Sequence, residues 1–292
     1  MGQTAIIATS PFIHSDGPTL QLANSKEKHM AKLTVKDLLA LKGKRQLTEV
    51  YVRNAKEASA CEAAGIDMLI TSERSNCAEI RAAAPNTFLT IGLVYGDYTS
   101  TSEVLRGGFQ ALRNRADAVY CGSSLEFVRA MTNEGIPVVG HVGFVPYKST
   151  WFGGFKAVGK TAAEALQVYQ RTLAYQEAGA IAVEIEIVPH QVAAAISRRV
   201  NILLIGMGSG TGCDAQYLFS TDILGDNEGH VPRHAKVYRN FKAEYARLYE
   251  ESIAAFREFK CDVESGAYPA PNQLVEIKDD EYEKFLEQVD AK

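Results

Sequence analysis

The chain has 292 residues, a formal net charge of −4, 46% apolar and 23% charged side chains. These values are ordinary for a globular protein and exclude a chain disordered throughout, and the negative balance offers no basic field to nucleic acid or to an anionic membrane surface. No run approaches the roughly 20 consecutive apolar residues of a bilayer span, and no charged stretch followed by an apolar core marks a secretory signal. The five cysteines, Cys61, Cys77, Cys121, Cys213 and Cys261, are odd in number and form no C-x-x-C pair. That argues against a disulfide framework or a zinc knuckle and points to a reducing, cytoplasmic compartment.

Residues 1–32 have no sustained period and contain Pro11, Gly17, Pro18 and the charged run Lys26-Glu27-Lys28-His29; they read as an extended arm, suited to clasp a neighbouring subunit in a homo-oligomer. A short helix is expected over 34–42. Short β-rich runs then alternate with helical stretches: strands over 47–52, 67–72, 87–93, 118–121, 137–142, 181–187 and 202–205, and helices over 54–64, 76–84, 101–114, 125–134, 162–178 and 190–199. Gly65, Gly135 and Gly179 close three of these helices, where a left-handed residue is favoured. An eighth strand is expected near 225–231. Repeated β/α alternation predicts a parallel sheet. The absence of a Gly-rich fingerprint after the first strand disfavours a dinucleotide fold and leaves an α/β protein built on one (β/α)8 barrel. The expected organisation is an arm over 1–32, a barrel over 33–262 and a C-terminal tail over 263–292, with a long amphipathic helix or helix pair over 232–259 and an acidic surface helix over 279–292.

In such barrels the reacting groups sit at the C-terminal ends of the strands. The candidates there are Asn54, Glu73, Arg74, Asp97, residues 121–124, His141, Glu186 and the loop 206–216. Glu184 and Glu186 lie two apart on an apolar strand and share a face, Glu186 nearer the mouth. A poorly hydrated carboxylate has a raised pKa and suits a general base; the competing reading pairs both acids with basic residues between barrel and helices. His141, between Gly140 and Gly143, suits a donor to a substrate oxygen, or a histidine satisfied inside the mouth. The loop 147–160 has the length of a lid. Gly154, Gly159, Lys160 and Thr161 meet a Walker A spacing, but no strand precedes them, so the match reads as accidental. The run Gly206-Met207-Gly208-Ser209-Gly210-Thr211-Gly212-Cys213-Asp214 is expected before a helix, where glycines admit an anion or serve packing alone.

Several of these segments resemble the ketopantoate hydroxymethyltransferase family, within the isocitrate lyase and phosphoenolpyruvate mutase group of barrels. The resemblance rests on Pro137-Val138-Val139-Gly140-His141-Val142-Gly143, Gly153-Gly154-Phe155-Lys156-Ala157-Val158-Gly159-Lys160-Thr161, Ala178-Gly179-Ala180, Glu186-Ile187-Val188-Pro189, residues 205–216 and Asp222-Ile223-Leu224-Gly225. It is close from about 135 to 240 and loose from 34 to 134. It implies enolisation of a 2-oxo acid held on Mg²⁺, followed by addition to a one-carbon unit from methylenetetrahydrofolate, with Glu186 in the position of the base and His141 in that of the pocket histidine. The N-terminal half departs from the family. Ser72-Glu73-Arg74 stands for Gly-Asp-Ser, Gly92 for the second metal aspartate, and Tyr120-Cys121-Gly122 for Lys-x-Glu. Glu73 is then the remaining candidate metal ligand, with Asp97 as a further one, while Arg74 is a candidate bidentate clamp for a substrate carboxylate. Ser72, Tyr120, His141 and Gly208 complete the expected substrate-binding set. Hydroxymethyl transfer to 3-methyl-2-oxobutanoate is the reaction implied. The alternatives are a lyase or hydrolase of the wider barrel group, and a barrel that has lost turnover.

Overall fold

The computed structural model describes residues Lys32–Ala291, so the arm expected over 1–32 lies outside the described residues except for Lys32. Eight parallel strands close into a barrel in chain order: β1 (Leu47–Tyr51), β2 (Met68–Ser72), β3 (Phe88–Gly92), β4 (Ala118–Tyr120), β5 (Val138–Gly143), β6 (Ala182–Glu186), β7 (Leu203–Met207) and β8 (Ala215–Phe219). The helices are α1 (Val35–Leu41) before β1, then α2 (Ala55–Ala63), α3 (Cys77–Ala83), α4 (Thr101–Arg113), α5 (Leu125–Asn133), α6 (Ser149–Phe152), α7 (Ala162–Glu177), α8 (His190–Ser197), α9 (Ser220–Leu224), α10 (Phe241–Ser265) and α11 (Asp279–Asp290).

The alternation of side chains along each strand divides the core in two. Leu47, Met68, Phe88, Val139, Leu203 and Ile205 fill the barrel interior. Val50, Leu69, Leu89, Val119, Val183 and Leu204 point outward beneath the helices. Helix starts are fixed locally: Asn54 accepts from the Glu57 amide, Ser100 from Glu103, and Thr161 from Glu164 in a full capping box. This last cap gives Lys160-Thr161 a structural use in place of the Walker A reading.

Two expectations are corrected. The eighth strand is β8, not the segment near 225–231, which lies beyond α9; Gly225 adopts φ +72° after that helix. β8 pairs with β1 through five consecutive positions, from Leu47↔Ala215 to Tyr51↔Phe219. No helix follows the glycine-rich run: β7 returns to β8 through a loop, an omission that strict β/α alternation does not anticipate. Its glycines serve packing. A Cβ on Gly210 would lie 2.3 Å from the His190 Cβ, and one on Gly212 2.3 Å from the Ala194 Cβ, so bare backbone lets the loop sit against α8. Beyond the barrel, α10 and α11 carry no buried residue. No described helix is long and apolar enough to cross a membrane.

Candidate active site

The C-terminal ends of the strands surround a cavity of about 310 Å³ whose lining includes Tyr51, Ser72, Tyr120, His141, Glu184 and Glu186. Both acids of β6 face this interior, which removes the reading that pairs them with basic residues outside the barrel. Strand register brings the key groups together: His141 sits beside Glu184 and Gly143 beside Glu186.

His141 is the hub. Its Nε2 lies 3.0 Å from the Phe144 carbonyl oxygen and 3.1 Å from Glu186 Oε2. A carbonyl oxygen only accepts, so Nε2 carries the proton and donates to both. Nδ1 lies 2.7 Å from the Tyr120 hydroxyl and 3.5 Å from Glu184 Oε2. In the neutral ring Nδ1 is the acceptor, and Tyr120 donates to it. The result is a line from Tyr120 through His141 to Glu186 that opens on the cavity.

The backbone around Glu186 is constrained on both sides. Gly143 ends β5 at φ +83°, where a Cβ would lie 2.4 Å from the Glu186 carbonyl oxygen. The Phe144 amide donates to that oxygen at 2.8 Å. Ile187, which follows Glu186, adopts φ +48°. A β-branched residue there costs about 1–3 kcal/mol and persists only where surroundings enforce it. The Ile187 amide donates to Met207 O at 2.8 Å, and its carbonyl accepts from the Val158 amide at 3.1 Å.

Deeper in the barrel, burial holds the Glu184 carboxyl well above its ordinary pKa, reinforced by Glu49 and then by Glu186. Glu49 on β1 is 2% exposed, its Oε2 has no hydrogen-bond partner among the described residues, and burial pushes its pKa up to about 8. Burial thus favours the neutral acid at both positions, consistent with the high cost of burying unpaired charge. Burial likewise raises the Tyr120 phenol, with Glu184 the next cause, so its hydroxyl stays a donor.

Of the residues expected from sequence, Ser72, Tyr120, His141 and Glu186 line the cavity, and Arg74, Glu73 and Gly208 do not. Arg74 is exposed and spends its guanidinium on Asp97, at 2.7 and 2.9 Å, so in this structure it does not clamp a ligand in the cavity. Gly208 faces the His234 ring, 2.9 Å from where its Cβ would stand. Glu73 accepts from the Val94 amide at 2.6 Å and from the Tyr98 hydroxyl. With both Glu73 oxygens engaged, Asp97 paired to Arg74 and no side chain at Gly92, these positions do not fit a divalent ion. Among the described residues no group of three or more His, Cys, Asp or Glu is arranged to hold one. Sequence reasoning missed Glu49, Tyr51, Tyr147 and Tyr217. An acid at the centre of Leu47-Thr48-Glu49-Val50-Tyr51 carries the same signal as Glu184 and was open to the same argument.

Comparisons of sequence with known proteins point to one family. The family model for ketopantoate hydroxymethyltransferase matches residues 70–271. The 3-methyl-2-oxobutanoate hydroxymethyltransferase of Deinococcus radiodurans is 34% identical over 212 residues, 70% of this chain and 72% of that protein. That of Nitrosopumilus maritimus is 30% identical over 281 residues, 88% of this chain and 98% of its own length. Among solved structures, a phosphonopyruvate hydrolase in complex with oxalate and Mg²⁺ has a TM-score of 0.49 and 16% identity, covering 88% of this chain and 99% of that one. The family match spans the strand-borne histidine and glutamate that meet in the cavity, as well as the loops that hold them, and the chain belongs to the ketopantoate hydroxymethyltransferase family.

Proposed function

We propose that the chain transfers a hydroxymethyl group to a 2-oxo acid, with 3-methyl-2-oxobutanoate as the acceptor and methylenetetrahydrofolate as the one-carbon donor. The observation that carries this reading is the hydrogen-bonded line Tyr120–His141–Glu186 at the cavity wall. Glu186 takes the proton from the carbon next to the keto group, and the electron pair moves onto the keto oxygen. The Tyr120 hydroxyl turns from His141 to that oxygen and stabilises the charge developing there. Glu184, protonated and 3.5 Å from Nδ1, then takes over as donor to the imidazole, so the ring keeps its tautomer and its hold on Glu186. Water releases the donor's methylene from its two folate nitrogens as formaldehyde, leaving tetrahydrofolate, and the enolate carbon adds to that formaldehyde carbon, whose oxygen takes the proton held by Glu186 and becomes the new hydroxyl. Because the residues aligned with the family's Mg²⁺ positions do not fit the ion, each step is assigned to side chains of this chain.

Homo-oligomerisation and a cytoplasmic site of action belong to the same reading. The free thiols Cys61, Cys77, Cys121, Cys213 and Cys261 support the second, and the exposed Tyr245, Leu248 and Phe256 of α10 support the first. The experiment that tests the chemistry is solvent deuterium exchange at C3 of 3-methyl-2-oxobutanoate, followed by proton NMR with enzyme at high concentration and Mg²⁺ present. Exchange above the enzyme-free rate is expected, and its absence refutes the proposal.

A further inference from the structure

The cavity has an electrostatic deficit. Among the described residues no lysine or arginine lines it, yet an acceptor bearing a carboxylate must be held beside Glu186. Positive charge lies next door. A cleft of about 530 Å³ shares Tyr95, Ser123 and Tyr147 with the cavity and is lined beyond them by Lys148, on the 3-10 turn after β5, and Arg171, on α7. Among the described residues no carboxylate lines this cleft. Neither cation forms an ion pair among the described residues; each lies instead near an aromatic ring, Lys148 Nζ 5.7 Å from the Tyr147 centroid and Arg171 Cζ 5.0 Å from that of Tyr175. Such contacts hold a cation in place without cancelling its charge. Burial, and then repulsion from Arg171, pulls the Lys148 ammonium below its ordinary pKa, as expected for two cations that lack a counter-charge. Ser124 and Leu125, at the start of α5, also line the cleft, and a helix start favours an anion. The boundary between the two spaces is the pair Tyr95 and Tyr147, stacked at 3.6 Å between centroids and 7° between planes.

We propose that Lys148 and Arg171 form the anion-binding end of the active centre, taking the carboxylate or phosphate of a substrate whose reactive end enters the cavity past Tyr95 and Tyr147. The role in turnover rests on the hydroxymethyl-transfer reading; the affinity of the cleft for anions does not. The test is calorimetric titration of the full chain with inorganic pyrophosphate at low ionic strength. One site is expected, at least tenfold weaker in the double variant Lys148→Gln/Arg171→Gln and in 0.5 M NaCl, and retained in Lys148→Arg; thermal melts confirm that the variants are folded. No binding by the unmodified chain, or equal binding by a folded double variant, overturns the proposal. Titrations with 3-methyl-2-oxobutanoate and with 5-formyltetrahydrofolate then identify the source of the anion: the ligand whose affinity falls in the double variant is the one that places its carboxylate there. Pyrophosphate binding that depends on Lys148 and Arg171, with neither organic acid bound, keeps the cleft and removes the hydroxymethyl-transfer reading.

Discussion

Glu49 offers a measurable consequence of burying an acid in the barrel. The perturbation is Glu49→Gln, which keeps the shape and removes the titration. In the folded chain burial raises the Glu49 pKa from 4.5 to about 8, and Oε2 has no partner among the described residues that favours the charged form. Between these two values the folded state holds a proton that the unfolded state has released, so stability falls as pH rises through the window and levels off above pH 8. The slope is about 1.4 kcal/mol per pH unit for one group. From pH 5 to pH 8 the parent therefore loses about 3.5 kcal/mol that the glutamine variant does not lose, equivalent to roughly 7–14 °C in Tm for a domain of this size. Glu49 also contributes to the raised pKa values of Glu184 and Tyr217, so the difference curve reports the loss of the Glu49 titration together with the relaxation of theirs. The assay is calorimetric or circular-dichroism melting of both proteins at half-unit pH steps. Parallel Tm profiles from pH 5 to 8, or a difference that shrinks with rising pH, would refute the argument that Glu49 is held neutral by its surroundings.

The remaining predictions concern the cavity. Glu186→Gln is expected to slow C3 deuterium exchange of 3-methyl-2-oxobutanoate by about 10²–10⁴-fold, the usual contribution of a positioned base; a folded variant that exchanges at the parent rate counts against its role as the base. Tyr120→Phe removes the donor to His141 Nδ1 and to the developing enolate oxygen, and a fall in kcat of about 10²-fold with little change in KM is expected from steady-state kinetics. A change confined to KM would assign Tyr120 to ground-state binding alone. Arg74→Ala breaks only an exposed pair with Asp97, so stability is expected to move by less than about 0.5 kcal/mol and calorimetric affinity for 3-methyl-2-oxobutanoate to stay constant; a tenfold loss of affinity would restore the clamp.

How far the sequence carries the reader depends on which physical rule governs each segment. Strands β1 to β7 are legible because an apolar run bounded by capping residues has few other uses, and the position of Glu186 follows from the two-residue period once the barrel is inferred. β8 is not legible in the same way: half-buried Gln216, Leu218 and Phe219 blur its alternation, and the missing helix between β7 and β8 breaks the rhythm that located the other strands. Glu73 and Arg74 were placed correctly at a strand end, but whether such a side chain turns inward depends on partners distant in sequence, here Tyr98 for the one and Asp97 for the other. The same dependence joins the family departures into one arrangement. With glycine at position 92 and tyrosine at 120, the ends of β3 and β4 present the cavity with a neutral hydroxyl two strands from Glu186. Burial favours the neutral acid at Glu49 and Glu184 in the interior, and the Phe144 carbonyl keeps His141 in one tautomer. Among the described residues no lysine or arginine lines the cavity, while Lys148 and Arg171 line the adjoining cleft, and the stacked pair Tyr95 and Tyr147 borders both spaces. In the proposed reaction that separation matters: a cation inside the cavity would pair with Glu186 and weaken it as a proton acceptor, whereas one beyond the aromatic pair can hold a substrate carboxylate and leave Glu186 free to take the proton.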